Sequence, residues 1–210
     1  MSLQGNPDDW LPRWLPHLRE SVRAANGAPV LELGCGTGRD TETLVAAGLP
    51  VVAVELLPSQ LEQARERVRA GAVFHQQDLR APFPIGAHGP GEVGAVLASL
   101  SLHYFSWPET LTLAARIRHA LAPGGLLLCR LNSVRDVHHG AGGDHPRIDP
   151  ADPDFLRVDG WDKRFFDRAA VERMFAAGWE WIGLEERTVM RYEMPKVLWE
   201  AVLRRTPDPA

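Results

Sequence analysis

Val30-Leu-Glu-Leu-Gly-Cys-Gly-Thr-Gly-Arg-Asp-Thr41 is the stretch that decides the fold of this 210-residue chain. Val30 to Leu33 is a short apolar run interrupted by Glu32, glycines follow at Gly34, Gly36 and Gly38, and Thr37 to Thr41 opens a helical pattern. That order predicts a buried strand, a tight turn and a helix N-terminus, the place where α/β proteins hold nucleotide-like ligands. Glycine suits such a turn because it reaches positive φ and lets a ligand lie against bare backbone. The spacing is G-x-G-x-G, with an acid two residues ahead. A dinucleotide fingerprint asks for G-x-G-x-x-G, and the position of its third glycine is Arg39. The G-x-x-x-x-G-K-[ST] run of a P-loop does not occur.

Four further segments follow in order. Pro50-Val-Val-Ala-Val54 is a second apolar run, and it ends in Glu55, 17 residues after Gly38, close to the roughly 20 that a helix and a strand require. Ala72-Val-Phe74 leads to Gln77-Asp78-Leu79, Glu92 to Phe105 is a longer apolar run, and Leu121-Ala-Pro-Gly-Gly leads into Leu126 to Cys129. Between them lie helical stripes: Leu57, Leu61, Ala64 and Val68, then Leu113, Ile117 and Leu121. Ahead of them, Asp9 is placed to cap a helix carrying Trp10, Leu11, Trp14, Leu15, Leu18 and Val22 on one face, with Pro16 as a possible kink. Alternating strands and helices predict a parallel sheet covered on both faces.

After Ser133 the pattern breaks. Residues 134–164 are rich in Gly, Pro, His and Asp, and the expectation is an inserted, mobile, lid-like loop that closes over a pocket together with the Trp10/Trp14 helix. Asp167 begins another helix, ended by Gly178, and Trp179 to Val189 and Val197 to Leu203 read as two strands across a turn at Met194-Pro195. One domain spanning residues 1–210 is expected, with residues 1–8 disordered.

Together the five motifs from Val30 to Cys129 resemble those of the class I S-adenosylmethionine (SAM)-dependent methyltransferases, with E-x-G-x-G-x-G as the first and L-x-P-G-G as the last. The resemblance implies an α/β fold, a Rossmann-like doubly wound sheet, mostly parallel with an antiparallel C-terminal strand pair. It implies SAM as cofactor, held by Gly34, Cys35, Gly36 and Gly38 of the turn. Glu55, with Leu56 beside it, would take the ribose hydroxyls, Asp78 and Leu79 the adenine, and Ser99 and Leu100 the methionine end through backbone carbonyls. Glu32 is left between shaping the loop and meeting the methionine ammonium. His103, just past the fourth strand, is the candidate catalytic residue: a general base, an orienting donor, or a core histidine. Tyr104 reads as packing.

Other readings narrow the class. No apolar stretch reaches the roughly 18 residues of a membrane span. The opening residues lack a signal-peptide pattern, and Cys35 and Cys129 suggest no disulfide framework, so a cytoplasmic protein is expected. Net charge is −4, and the 21 arginines and two lysines are interspersed with acids, which argues against a nucleic-acid partner. Enzymes that methylate base amines resemble one another in a (D/N)-P-P-(Y/F) run; here the run is Ala98-Ser-Leu-Ser101, and neither cysteine follows a proline as in cytosine-C5 enzymes. A small-molecule acceptor is therefore expected. His138, His139, Asp144 and His145 cluster, but adjacent histidines between flexible glycines make a poor ligand set, and no metal is expected. Two alternatives stand beside methyl transfer: a non-catalytic SAM-binding partner subunit, and an NAD-dependent oxidoreductase on a related fold.

Overall fold

In the computed structural model, residues 8–85, 93–190 and 193–207 are described. A helix, α1 (Trp10–Ala24), precedes β1 (Val30–Leu33), whose four residues are all buried. The chain then alternates through α2 (Arg39–Ala46), β2 (Val51–Glu55), α3 (Pro58–Arg67), β3 (Ala72–Gln76), β4 (Val93–Ser99), α4 (Trp107–Ala120) and β5 (Leu121–Asn132). Pro58 sits in the first turn of α3, where its missing N–H costs nothing. Glu109 accepts the Ser106 N–H at 3.0 Å and so closes the start of α4.

Beyond β5 come a 3₁₀ turn (Val137–His139) and three short strands, β6 (Arg147–Asp149), β7 (Asp152–Val158) and β8 (Trp161–Arg164). Helix α5 (Arg168–Met174) is capped by Asp167, which accepts the Ala170 N–H at 2.6 Å. β9 (Trp179–Val189) and β10 (Lys196–Arg205) end the fold.

The main sheet has the order β3-β2-β1-β4-β5-β10-β9. β1 to β5 are parallel, β10 runs antiparallel to β5, and β9 antiparallel to β10. This is the expected doubly wound sheet with its antiparallel C-terminal pair. Its two faces carry separate cores because successive strand residues point to opposite sides. Val30, Ala95 and Leu97 join α1, α2 and α3 through Leu18, Leu44 and Leu61; Leu31, Leu33, Val96 and Ala98 join α4 and α5 through Ile117, Val171 and Phe175. From β1 the chain winds outward to β3, then returns to lay β4 against the other side of β1. That reversal leaves a crevice at the carboxyl ends of β1 and β4, the position where open α/β sheets bind ligands.

Three expectations need correction. Residues 134–164 are not a structureless loop. They form the antiparallel sheet β6-β7-β8, whose Leu156 and Val158 pack with Ala141 and Phe165 in a small core of their own. Val158 pairs with Trp161 across a two-residue turn in which Asp159 and Gly160 have φ of 52° and 81°, the geometry that an Asp-Gly hairpin adopts. Secondly, α1 is not part of a cover: Trp10 and Leu18 are buried against the face of the sheet. Thirdly, the L-x-P-G-G segment is not a separate turn ahead of the fifth strand but an irregularity inside β5, where the register with β4 shifts between Val93 and Ala95. Of the stretch expected to be disordered, residues 1–7 lie outside the described residues, and Asp8 is ion-paired with Arg130. Among the described residues no helix is long and apolar enough to cross a membrane.

Candidate cofactor and acceptor site

The crevice opens into a cavity of about 780 Å³, within the ~300–1,000 Å³ usual for small-molecule sites. Its first wall is the turn after β1. Gly34 and Gly36 have φ of 74° and 55°, and a Cβ on Gly34 would stand 2.5 Å from Cβ of Ser101. β1 and β4 therefore approach so closely at this end that only bare backbone fits between them. Gly38 has a different task. It lies outside the lining, and a Cβ there would stand 3.0 Å from Cα of Ala64, so it lets α2 and α3 pack.

Glu32 also stays out of the lining. It is buried in β1 and accepts a 2.6 Å hydrogen bond from the Thr41 hydroxyl, fastening α2 beneath the glycine turn. Burial pushes its carboxyl up to about 8, with the Thr41 bond opposing the shift. Cys35 lines the cavity, but burial, with Glu32 and Glu55 nearby, raises its thiol well above the ordinary range, so it is no nucleophile.

The second wall comes from the ends of β2 and β3. Glu55 accepts the Gly36 N–H on one carboxylate oxygen and the Leu57 N–H on the other, both at 2.9 Å. Each oxygen keeps a further lone pair, and the carboxylate is fixed in orientation. Asp78, at 39% side-chain exposure, accepts the Arg80 N–H at 2.8 Å and pairs with its guanidinium at 3.3 Å. Arg80 in turn binds Glu109 at 2.7 Å and lies over the Phe105 ring; that contact draws the Glu109 carboxyl down to about 2. Leu56 and Leu79 line the cavity beside these acids.

The third wall follows β4. Ser99, Leu100 and Ser101 line it; Leu100 is held at φ 58°, a costly conformation for a branched residue, and its N–H donates to the Arg130 carbonyl. The Ser99 and Ser101 hydroxyls are buried with no hydrogen-bond partner among the described residues. Buried hydroxyls left so, beside a cavity, are donors waiting for a ligand.

His103 does not reach the cavity. It is buried, its ring packed 4.1 Å from that of Tyr104 and its Nδ1 unpartnered among the described residues. Burial first, then the charges of Lys196 and Lys163, lower its pKa well below the ordinary value, so it stays neutral. The lining residue here is Tyr104. The fourth wall was missed in the sequence: Arg157, Gly160, Trp161 and Asp162 of the β7–β8 hairpin lean over the crevice. The His138/His139 cluster lies elsewhere, with His139 Nδ1 2.9 Å from Asp136.

Residues 30–125 match the model of the methyltransferase domain family. That match, 96 of the 210 residues, supports a class I SAM-dependent methyltransferase domain and, with it, SAM as the cofactor. The residues present fit that group: carboxylates at two successive strand ends, a backbone cradle that a side chain would fill, and two unsatisfied hydroxyls. The chain is similar to trans-aconitate 2-methyltransferase of Paracidovorax citrulli, with 38% identity over half of this chain and 39% of the relative. It is also similar to a ubiquinone biosynthesis O-methyltransferase of Xanthomonas campestris, with 31% identity over 52% of this chain and 45% of the relative. The chain thus spans less than half of each. Among solved structures, a SAM-dependent methyltransferase of Methanosarcina mazei matches with a TM-score of 0.68 at 14% identity, over 86% of this chain and 93% of that one. A 1,6-didemethyltoxoflavin-N1-methyltransferase of Burkholderia thailandensis matches with 0.63 at 20%, over 95% and 80%. These two likenesses are of fold.

Proposed function

We propose that this protein is a methyltransferase that transfers the methyl group of SAM to a small-molecule acceptor held between the turn after β1 and the β7–β8 hairpin. The observation that carries the reading is the alignment of Glu55, Asp78 and the glycine turn along one continuous cavity whose far side belongs to the hairpin. Relatives named for trans-aconitate and for ubiquinone biosynthesis support a small acceptor.

Glu55 accepts the ribose hydroxyls on its spare lone pairs, and the N–H groups of Gly36 and Leu57 keep it aimed. Asp78 accepts from the adenine amine, steadied by Arg80. The Ser99 and Leu100 carbonyls, with the unsatisfied hydroxyls of Ser99 and Ser101, meet the methionine end. Glu32, in this reading, shapes the turn and touches no ligand. Bound there, SAM would supply a sulfonium methyl for in-line attack by an acceptor lone pair, the S–CH3 bond breaking to leave neutral S-adenosylhomocysteine. The hairpin excludes water and orients the acceptor behind that methyl.

Calorimetry with SAM, S-adenosylhomocysteine and NAD, followed by a screen for labelled methyl transfer to small molecules, tests the reading. Binding of the two sulfur compounds without NAD, and label in an acceptor, is the expected result. Binding of NAD would indicate the oxidoreductase alternative, and SAM binding without turnover on any acceptor the non-catalytic subunit.

A further inference from the structure

Two large aromatic side chains remain open to solvent at the mouth of the cavity: Trp161 is 47% and Tyr104 38% exposed. A chain gains by burying such surface, and here both rings are instead presented to the same space. Their centroids are 5.8 Å apart, inclined at 58°. They make a tilted, contacting pair rather than a stacked one, and it is their outer, exposed surfaces that an incoming molecule meets. Tyr104 is backed by the buried His103 ring at 4.1 Å, which stops it rotating away.

The pair is held from behind. Arg164, at the end of β8 and 4% exposed, donates its backbone N–H to the His103 carbonyl at 2.6 Å and its side-chain Nε to the Phe105 carbonyl at 3.2 Å. Its two terminal nitrogens grip Asp152 of β7 at 3.0 and 2.5 Å. One buried residue thus ties the hairpin that carries Trp161 to the segment that carries Tyr104. At the rim, Arg157 and Asp162 pair with each other, so the charge they bring nearly cancels and selects no strongly ionic ligand.

We infer that the methyl acceptor is a planar aromatic or heteroaromatic molecule of little net charge, its ring packed against the exposed surfaces of Trp161 and Tyr104 that line the cavity. Aromatic rings prefer tilted and offset contacts, which a flat π-system makes against such rings and a puckered saturated one does not. The inference rests on the reading of Glu55, Asp78 and the glycine turn as the cofactor side of the cavity, and it adds the class of acceptor.

The test uses the full chain saturated with S-adenosylhomocysteine and a matched pair of neutral probes, 2-naphthol and decahydro-2-naphthol, which differ in planarity and π-character. The expected result is binding of 2-naphthol about fivefold or more tighter than its saturated counterpart. Trp161→Ala should erase that preference and Trp161→Phe retain most of it, while melting curves check that each variant is folded. Equal binding of the two probes, or a preference that survives in Trp161→Ala, overturns the inference and leaves the cofactor reading standing. Failure of the wild type to bind S-adenosylhomocysteine overturns the cofactor reading itself, and the inference falls with it.

Discussion

Glu55 and Glu32 are two carboxylates at one end of the sheet with opposite environments, and each yields a distinct expectation. Glu55 stands at the cavity wall with both oxygens already bonded to main-chain N–H groups. If it takes the ribose hydroxyls, Glu55→Ala weakens SAM by about 2–3 kcal/mol, the scale of hydrogen bonds to a charged group. Calorimetry on a variant of unchanged circular dichroism checks this; an unaltered dissociation constant would reject the assignment. Glu32 is shut away, and burial raises its carboxyl to about 8 from an ordinary 4.5. Between those values the folded chain binds a proton that the unfolded chain has released, so this group's stabilising contribution is whole below about 4.5 and is lost as pH rises toward 8. Glu32→Gln keeps an oxygen for Thr41 and removes the titration. Melting temperatures of the two proteins should therefore converge near pH 4 and diverge by pH 8.5, with the variant the more stable; parallel curves would mean that Glu32 is solvated.

At the level of elements, the excursion between β5 and α5 shows why polar composition misleads. Residues 134–164 contain few apolar side chains, yet Leu156 and Val158, with Ala141 and Phe165, suffice to bury one face of a three-stranded sheet. Such a small core needs a second support, and Arg164 with Asp152 provides it. Arg164→Met should leave Asp152 unpaired and take the guanidinium donor from the Phe105 carbonyl, while the backbone bond to the His103 carbonyl stays. Breaking a buried pair costs about 3–5 kcal/mol, more than this sheet's few apolar contacts replace. Hydrogen exchange in residues 147–164 should then accelerate at least tenfold while β1, β4 and β5 stay protected, because that core is separate. Uniform acceleration over the whole chain would show instead that the excursion and the main sheet unfold as one unit.

At the scale of the whole molecule, the two ends of the chain meet in one charge cluster. Glu200 of β10 accepts from Arg130 of β5 at 2.7 Å and from Arg13 of α1 at 2.6 Å, and Arg130 also holds Asp8 and lies against the Trp10 ring. Glu200→Ala removes the more deeply buried of the two carboxylates that pair Arg130, whose guanidinium is 1% exposed, and should destabilise the fold by about 3–5 kcal/mol in urea unfolding. A loss below 1 kcal/mol would indicate that Asp8 alone compensates Arg130. The order of strands and helices, the turn between β1 and α2, the two acids at successive strand ends and the paired C-terminal strands were legible in the residues, because each depends on local periodicity and turn chemistry. Even the hairpin at Asp159-Gly160 was signalled locally, by a dipeptide that favours positive φ at both positions. What the residues did not disclose is which side chains share a space. Gly34 faces Ser101 across 67 positions, and Trp161 faces Tyr104 across 57. His103 and Tyr104 are neighbours in sequence, yet one is buried and the other lines the cavity. Periodicity assigns a residue to a strand or a helix, but the partner it meets is set by how the chain reverses at the crevice and folds β7 and β8 back over it. Only the packed tertiary structure fixes that.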